Sequence, residues 1–376
     1  MAIKKWLNGS AYTGRLPEGC VQCARGGKLV LLVTGKCVHG CYYCPLSFKK
    51  KGRAVVYADE MRVRKDADIL EEAGAINATG TGVTGGDPLI QPKETARLIK
   101  LLKDNFGERH HIHLYTRSTD LKTIEKVASA GLDEIRFHPP TSTWKGLGES
   151  EYAGAIVASR GFGMVAGFEI PVIPGCEKDI RTFLSDAYDV GASFVNLNEL
   201  EFSESNWRAL RKRRFKVKDD VSASVKGSER MALRLLRSAP AGLPTHYCSS
   251  SFKDGIQLRR RIMRRAKNVM RPLDILTKDG TLIIGIIETR DPVTLAADLK
   301  TRFDIPKKYI EANQEMRRVE IASWILEEIA PELEKRAFII EEYPTADRLE
   351  VEREAISNKA SINVRHLHNN SKYEHV

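Results

Sequence analysis

Cys37, Cys41 and Cys44 stand in a Cys-x3-Cys-x2-Cys pattern, close enough along the chain for three sulfurs to converge on one soft metal centre. Three thiolates leave one coordination position open, the mark of a working centre rather than a sealed structural one. A second pair, Cys20 and Cys23, has the Cys-x2-Cys spacing of a metal knuckle but no matching second pair, so its other ligands would come from Cys248, Cys176 or His246. An auxiliary iron–sulfur cluster on Cys20, Cys23 and Cys248 is expected there. Zinc on the same residues, or buried free thiols, are the alternatives. In Gly85-Gly86-Asp87 the glycine pair lets a ligand come close to the backbone, and the acid can complement a cation. Glu169 lies in the apolar run from Gly167 to Gly175, where an acid needs a polar cavity or a partner.

The segments around these residues explain how they could be positioned. Leu29 to Val33 is an apolar run leading into the cysteine loop and reads as a buried strand. That puts the thiols at the C-terminal end of a strand, where α/β folds carry their chemistry. The unit then repeats. Strands are predicted to end at Gly85 and to cover 112–116, 134–138, 164–172 and 194–200. Helices are predicted over 66–74, from Pro92, and over 119–130, 150–159 and 179–190. Such a βα series makes a parallel sheet, either a barrel or doubly wound. No Gly-x-Gly-x-x-Gly follows the first strand, which disfavours a dinucleotide-binding sheet.

The cysteine spacing, with Tyr43 just before the last Cys, resembles the radical S-adenosylmethionine superfamily. The likeness covers roughly residues 20 to 200, and within it is nearest to archaeal-type proteins related to pyruvate formate-lyase activating enzyme. The resemblance implies a partial (β/α)6 barrel, with Cys37, Cys41 and Cys44 on a [4Fe–4S] cluster whose open iron takes S-adenosylmethionine. It implies that Gly85, Gly86 and Asp87 receive the amino group of that cofactor. It places Tyr43 beside the adenine, and Glu169 with Asn196 or Asn198 near the ribose and adenine. Arg117, Ser118, Arg136 and His138 would stand at comparable depths. An electron donor protein is a further implied partner. Asp87 stands where the family usually has Glu. The residues that act on the substrate are not readable.

The net charge of +11 is not evenly spread. From Ser205 to Arg271 there are 19 Lys and Arg against 4 acids, a net +15 that leaves the rest of the chain at −4. A local basic region suggests a polyanion, most plausibly RNA such as tRNA. Arg208, Arg211, Lys212 and Arg214 form one stripe, with Trp207 available to stack on a base. Arg261, Arg264 and Arg265 form the outward face of a helix over 253–269. The main expectation is therefore a radical enzyme that modifies tRNA. The alternatives are an enzyme that activates or modifies a protein, and a non-catalytic zinc or cluster protein that binds nucleic acid.

Five stretches are expected: an N-terminal segment (1–28), the core (29–202), a basic helical extension (203–271), a small α+β domain (272–355) and a tail (356–376). In the small domain a hairpin should turn at Asp279-Gly280 and a helix should cover 319–336. No run is apolar enough to cross a membrane, the N-terminus lacks the pattern of a signal peptide, and the seven cysteines suit a reducing compartment, so a cytoplasmic protein is expected.

Overall fold

The computed structural model describes residues 2–218 and 222–356. The chain forms two compact units: residues up to 74 together with 78–258, and residues 75–77 together with the chain from 259 onward. The tail expected from 356, with His366, His368 and His375, lies outside the described residues from 357 on.

The first unit is built on parallel strands that pair in sequence order: β1 (Lys28–Thr34), β2 (Gly80–Gly85), β3 (His111–Thr116), β4 (Glu134–Phe137), β5 (Val165–Val172), β6 (Val195–Glu199) and β7 (Thr245–Cys248). Strand Ala11–Thr13 pairs antiparallel with β7 at one edge, and Tyr57–Ala58 pairs antiparallel with β1 at the other. Those edges do not pair with each other among the described residues, so the barrel is partial. The expected six-strand βα series is present, and β7 extends it.

Helices α1 (Glu18–Ala24), α2 (Asp66–Ala75), α3 (Pro92–Phe106), α4 (Leu121–Ser129), α5 (Glu151–Gly161), α6 (Glu177–Asp189), α7 (Trp207–Lys212) and α8 (Ser228–Ser238) belong to the series. Their limits follow local chemistry. Pro92 opens α3, which buries Leu98, Ile99 and Leu102, and Gly107 ends it at φ 80°. Asp120 caps α4 by accepting from the Thr123 N–H at 3.2 Å. α7 stops at Lys212, and Arg214, expected on the same stripe, follows in a left-handed turn at φ 62°.

Along the strands polar residues recur every second position, which puts them on one face. They are His113 and Tyr115 on β3, Glu134 and Arg136 on β4, Glu169 on β5, Asn196 and Asn198 on β6, and His246 and Cys248 on β7. This face is the barrel lumen. α1 packs inside it against β1, β2 and β3. A Cβ on Gly19 of α1 would stand 2.6 Å from an Arg136 guanidinium nitrogen and 2.9 Å from His113 Nδ1, so glycine is required there.

The second unit carries an antiparallel sheet in the order Ile310–Asn313, Arg318–Ile321, Leu282–Glu288, Ala337–Glu342, Glu350–Ile356. Ile275–Leu276 forms the expected hairpin with Leu282–Glu288. Ile287, Val319, Ile321 and Leu326 are among its core. The helix expected over 319–336 is a misreading. Val319 and Ile321 lie in a strand, and the helix is Ser323–Ile329. The β-branched pair is compatible with either period, and pairing with Leu282–Glu288 decides between them. The expected helix over 253–269 is also divided. Lys253–Leu258 is a wide π turn in the first unit, and Arg259–Val269 is an α-helix in the second.

Candidate active site

A cavity of about 600 Å³ lies at the C-terminal ends of the strands, within the size range that holds small ligands. Cys37, Cys41, Cys44, Tyr43, Gly85, Gly86, Glu169 and Asn198 all line it, as do Arg117 and His138. The fold thus brings together residues spread over six βα units.

The cysteine loop leaves β1 and passes very close to the end of β2. A Cβ on Gly86 would stand 2.0 Å from the Lys36 carbonyl oxygen, and one on Gly85 2.3 Å from that of Thr34. The glycine pair is therefore needed for the chain's own approach, besides any approach of a ligand. The loop is then clasped from the far side of the barrel. Asn206 Nδ2 donates to the Tyr43 carbonyl at 3.0 Å and to that of Glu201 at 3.0 Å, and Ser205 Oγ donates to the Cys44 carbonyl at 3.0 Å. The Arg213 guanidinium lies 3.8 Å from the Tyr42 ring centroid. Sequence reasoning missed Ser205 and Asn206, since an Asn before a helix reads as a cap. Here Asn206 makes no capping bond to α7.

Arg117 Nη1 donates to Cys41 Sγ at 3.1 Å. Tyr43 and His138 fix each other. The Glu169 backbone carbonyl, 2.7 Å from His138 Nδ1, can only accept, so Nδ1 carries the proton. Nε2 then accepts from the Tyr43 hydroxyl at 3.0 Å. Burial lowers the pKa of His138, which keeps the ring neutral.

Glu169 Oε2 accepts from Arg136 at 2.8 Å and Asn196 at 3.0 Å, and its Oε1 accepts from Asn198 at 2.7 Å. Burial pushes this carboxyl up, but Arg136 and the two amides outweigh it and hold it below its usual value. Asn198 reaches the main cavity. Asn196, the residue expected there, instead lines a second cavity deeper in the lumen.

Asp87 also differs from its expected place. Its carboxylate accepts from Thr116 Oγ1 at 2.7 Å, Leu89 N at 3.0 Å and Arg117 N at 3.0 Å, and it does not line the cavity. It ties β2 to the end of β3, and Gly85 and Gly86 face the cavity in its stead.

The basic residues fall in both units. Arg208 lines a groove with Phe48, Phe202 and Trp207. Arg211 lies over the Trp207 ring at 5.9 Å, and Lys212 closes α7 beside the turn at Arg214. Arg261, Arg264 and Arg265 belong to the second unit and are half-buried rather than outward. Arg264 donates to the Ile76 carbonyl at 2.8 Å, and Arg265 to that of Pro344. Cys20, Cys23 and Cys248 meet at the second cavity. Cys176 does not; it precedes α6, near Tyr42.

The donors suit an iron–sulfur cluster. All seven cysteines are free. Three surround one end of a roomy cavity, and a guanidinium offsets sulfur charge. Among the described residues no trio of cysteine sulfurs lies within 4.8 Å of one another. A tetrahedral zinc ion, with bonds of about 2.3 Å to sulfur, would hold its thiolates closer than that.

Asn206→Ala should destabilise the first unit by about 1–3 kcal/mol, because two buried carbonyls lose their donor. Urea denaturation measures this. Faster iron release to a chelator should accompany it if the clasp holds the loop in shape.

A family profile described as the radical SAM superfamily matches residues 31–144, and one described as a domain of unknown function, DUF8061, matches residues 280–356. A protein of Methanocaldococcus jannaschii, provisionally named a glycyl-radical enzyme activating enzyme, is 40% identical over 354 residues, covering 90% of this chain and 92% of its own length. Among solved structures, HydG, a maturase of the [FeFe]-hydrogenase, aligns over 62% of this chain and 57% of its own at 14% identity and a TM-score of 0.39. Methylornithine synthase aligns over 56% of this chain and 62% of its own at 15% identity and a TM-score of 0.38. Likeness of that depth says nothing about substrate.

Proposed function

We propose, for a chain that belongs to the radical SAM superfamily, that the hydrogen it abstracts belongs to a protein and that it activates a glycyl-radical enzyme. The observation that carries this is the 40% identity to a relative bearing that provisional name, along nearly the whole of both chains. The enzyme uses a [4Fe–4S] cluster and S-adenosylmethionine, as its family does.

Cys37, Cys41 and Cys44 would hold the cluster, which when bound would supply the electron for reductive cleavage of S-adenosylmethionine and with it the power to abstract hydrogen. The chain's own residues prepare that event. Arg117 offsets the charge on Cys41, and Asn206 and Ser205 hold the loop's backbone. Gly85 and Gly86 leave room for the amino acid end of the cofactor. Tyr43, positioned by His138, would stand beside the adenine, and Asn198 and Glu169, which line the same cavity, would face the ribose.

The surface beside the cavity supports a polypeptide substrate. Phe48, Phe202 and Trp207 line a groove of about 520 Å³ that shares Ser205 with the cavity, and Phe48 and Trp207 are exposed in it. Exposed apolar groups set together suit a protein surface better than a phosphate backbone. The RNA reading rested on the charge of 205–271, and part of that charge is paired within the chain. Arg234 pairs with Glu177 at 2.5 Å, Lys218 with Glu229 at 2.8 Å, Lys253 with Glu201 at 2.9 Å and Arg271 with Asp274 at 2.9 Å. No helix among the described residues is long and apolar enough to cross a membrane. Seven free cysteines and an oxygen-sensitive cluster suit the cytoplasm, where a donor protein would provide reducing equivalents.

The test uses host protein extract labelled with α-deuterated glycine, and separately tRNA deuterated at its nucleosides. Deuterium should appear in 5′-deoxyadenosine from the labelled protein fraction, and the same fraction without label should show a glycyl-radical doublet by electron paramagnetic resonance that collapses to a singlet in the labelled one. Transfer from tRNA and none from protein would overturn the reading.

A further inference from the structure

Deeper in the lumen lies a second cavity of about 200 Å³. Cys20 and Cys23 reach it from α1, where a spacing of three puts them on one helix face. His246 and Cys248 reach it from β7, where a spacing of two puts them on one strand face. Segments from opposite ends of the first unit thus bring three thiols and an imidazole to one place.

His246 is the observation that points to an occupant. It is 2% exposed, and neither ring nitrogen has a hydrogen-bond partner. A buried imidazole with both nitrogens unsatisfied is unfavourable, and one that lines a cavity is placed to bind what fills it. Its neutral form is also the ligating form.

Burial pushes all three thiols up, and cations and an amide beside them offset part of that cost. Arg136 Nη2 lies 3.5 Å from Cys20 Sγ, and Asn196 Nδ2 donates to the same sulfur at 3.4 Å. Lys28 stands by Cys23 and Lys253 by Cys248. The opposing acids, Glu134 and Glu169, are both bonded to Arg136. As at the cysteine loop, the three sulfurs do not all lie within 4.8 Å of one another. An iron cluster spreads its thiolates over several metal atoms and needs that wider spacing.

We propose that Cys20, Cys23 and Cys248 hold a second [4Fe–4S] cluster in the barrel lumen, with His246 as its fourth ligand. Tyr115, Glu169, Asn198 and Lys253 line both cavities, so this cluster lies a single layer of side chains from the S-adenosylmethionine site. The assignment does not depend on whether the substrate is a protein or an RNA.

The test is anaerobic reconstitution with ferrous iron and sulfide. Wild-type protein should hold about eight irons per chain, and the Cys37→Ala/Cys41→Ala/Cys44→Ala variant about four, as expected for two [4Fe–4S] clusters and for one. After dithionite reduction that variant should keep a cluster signal in electron paramagnetic resonance that S-adenosylmethionine does not perturb. His246→Ala should shift the midpoint potential of this signal. Wild-type protein holding only about four irons would overturn the proposal without recourse to any variant. So would one zinc per chain lost on Cys20→Ala/Cys23→Ala/Cys248→Ala, or a folded Cys37→Ala/Cys41→Ala/Cys44→Ala variant free of iron.

Discussion

Replacing any one of Cys37, Cys41 or Cys44 by alanine is expected to bring the conversion of S-adenosylmethionine to 5′-deoxyadenosine down to the background of dithionite alone. The loop offers three thiols and no fourth, so two remaining sulfurs cannot keep a cubane at an open, solvent-facing position. Nearby groups do not substitute. Tyr43 is held by His138, and Arg117 is a cation that cannot ligate. Thermal stability should change little, because Cys37 is exposed and Cys41 and Cys44 lie in a loop rather than in the core. A variant that melts like wild type yet is catalytically silent is therefore the expected result. Product formation is read by chromatography, and retention of more than a tenth of wild-type turnover by any of the three would count against their assignment.

Arg136→Leu is expected to lower stability by about 3–5 kcal/mol, the scale for removing one partner from a buried ion pair. Its side chain is almost fully buried, and it bonds Glu134 at 2.5 Å and Glu169 at 2.8 Å, so its loss leaves two carboxylates in the lumen without their cation. The pH dependence has a definite sign. In wild type Glu169 is held below its usual pKa, since Arg136 and the amides outweigh burial. It thus contributes stability above the unfolded carboxyl pKa of about 4.3, lost as pH falls through the folded value. Without Arg136, burial dominates and the folded value rises. The variant then becomes less handicapped as pH drops, and the gap between the two proteins should narrow from pH 7 toward pH 4. Denaturant melts across that range measure it, and a gap that stays constant would show that the lost stability is packing rather than charge.

Sequence by itself determined what is local. The Cys-x3-Cys-x2-Cys loop follows an apolar strand, and the βα periodicity repeats because helix and strand patterns depend on near neighbours. Gly85 and Gly86 were legible for the same reason, although a crowded backbone at Lys36 and Thr34 demands them as well. Tertiary structure alone decided which side chain faces which space. Asn196 and Asn198 are equivalent by strand period, and depth in the lumen separates them. Asp87 looked like a ligand group until the end of β3 supplied three donors to it. The basic stretch looked like one surface, but charge along a chain does not reveal its partners, and acids distant in sequence pair with Arg234, Lys253 and Arg271. The meeting of Cys20 and Cys23 with Cys248 and His246 depends on α1 lying inside the barrel rather than outside it. Burial of a helix within a curled sheet is a long-range event that no window of sequence encodes.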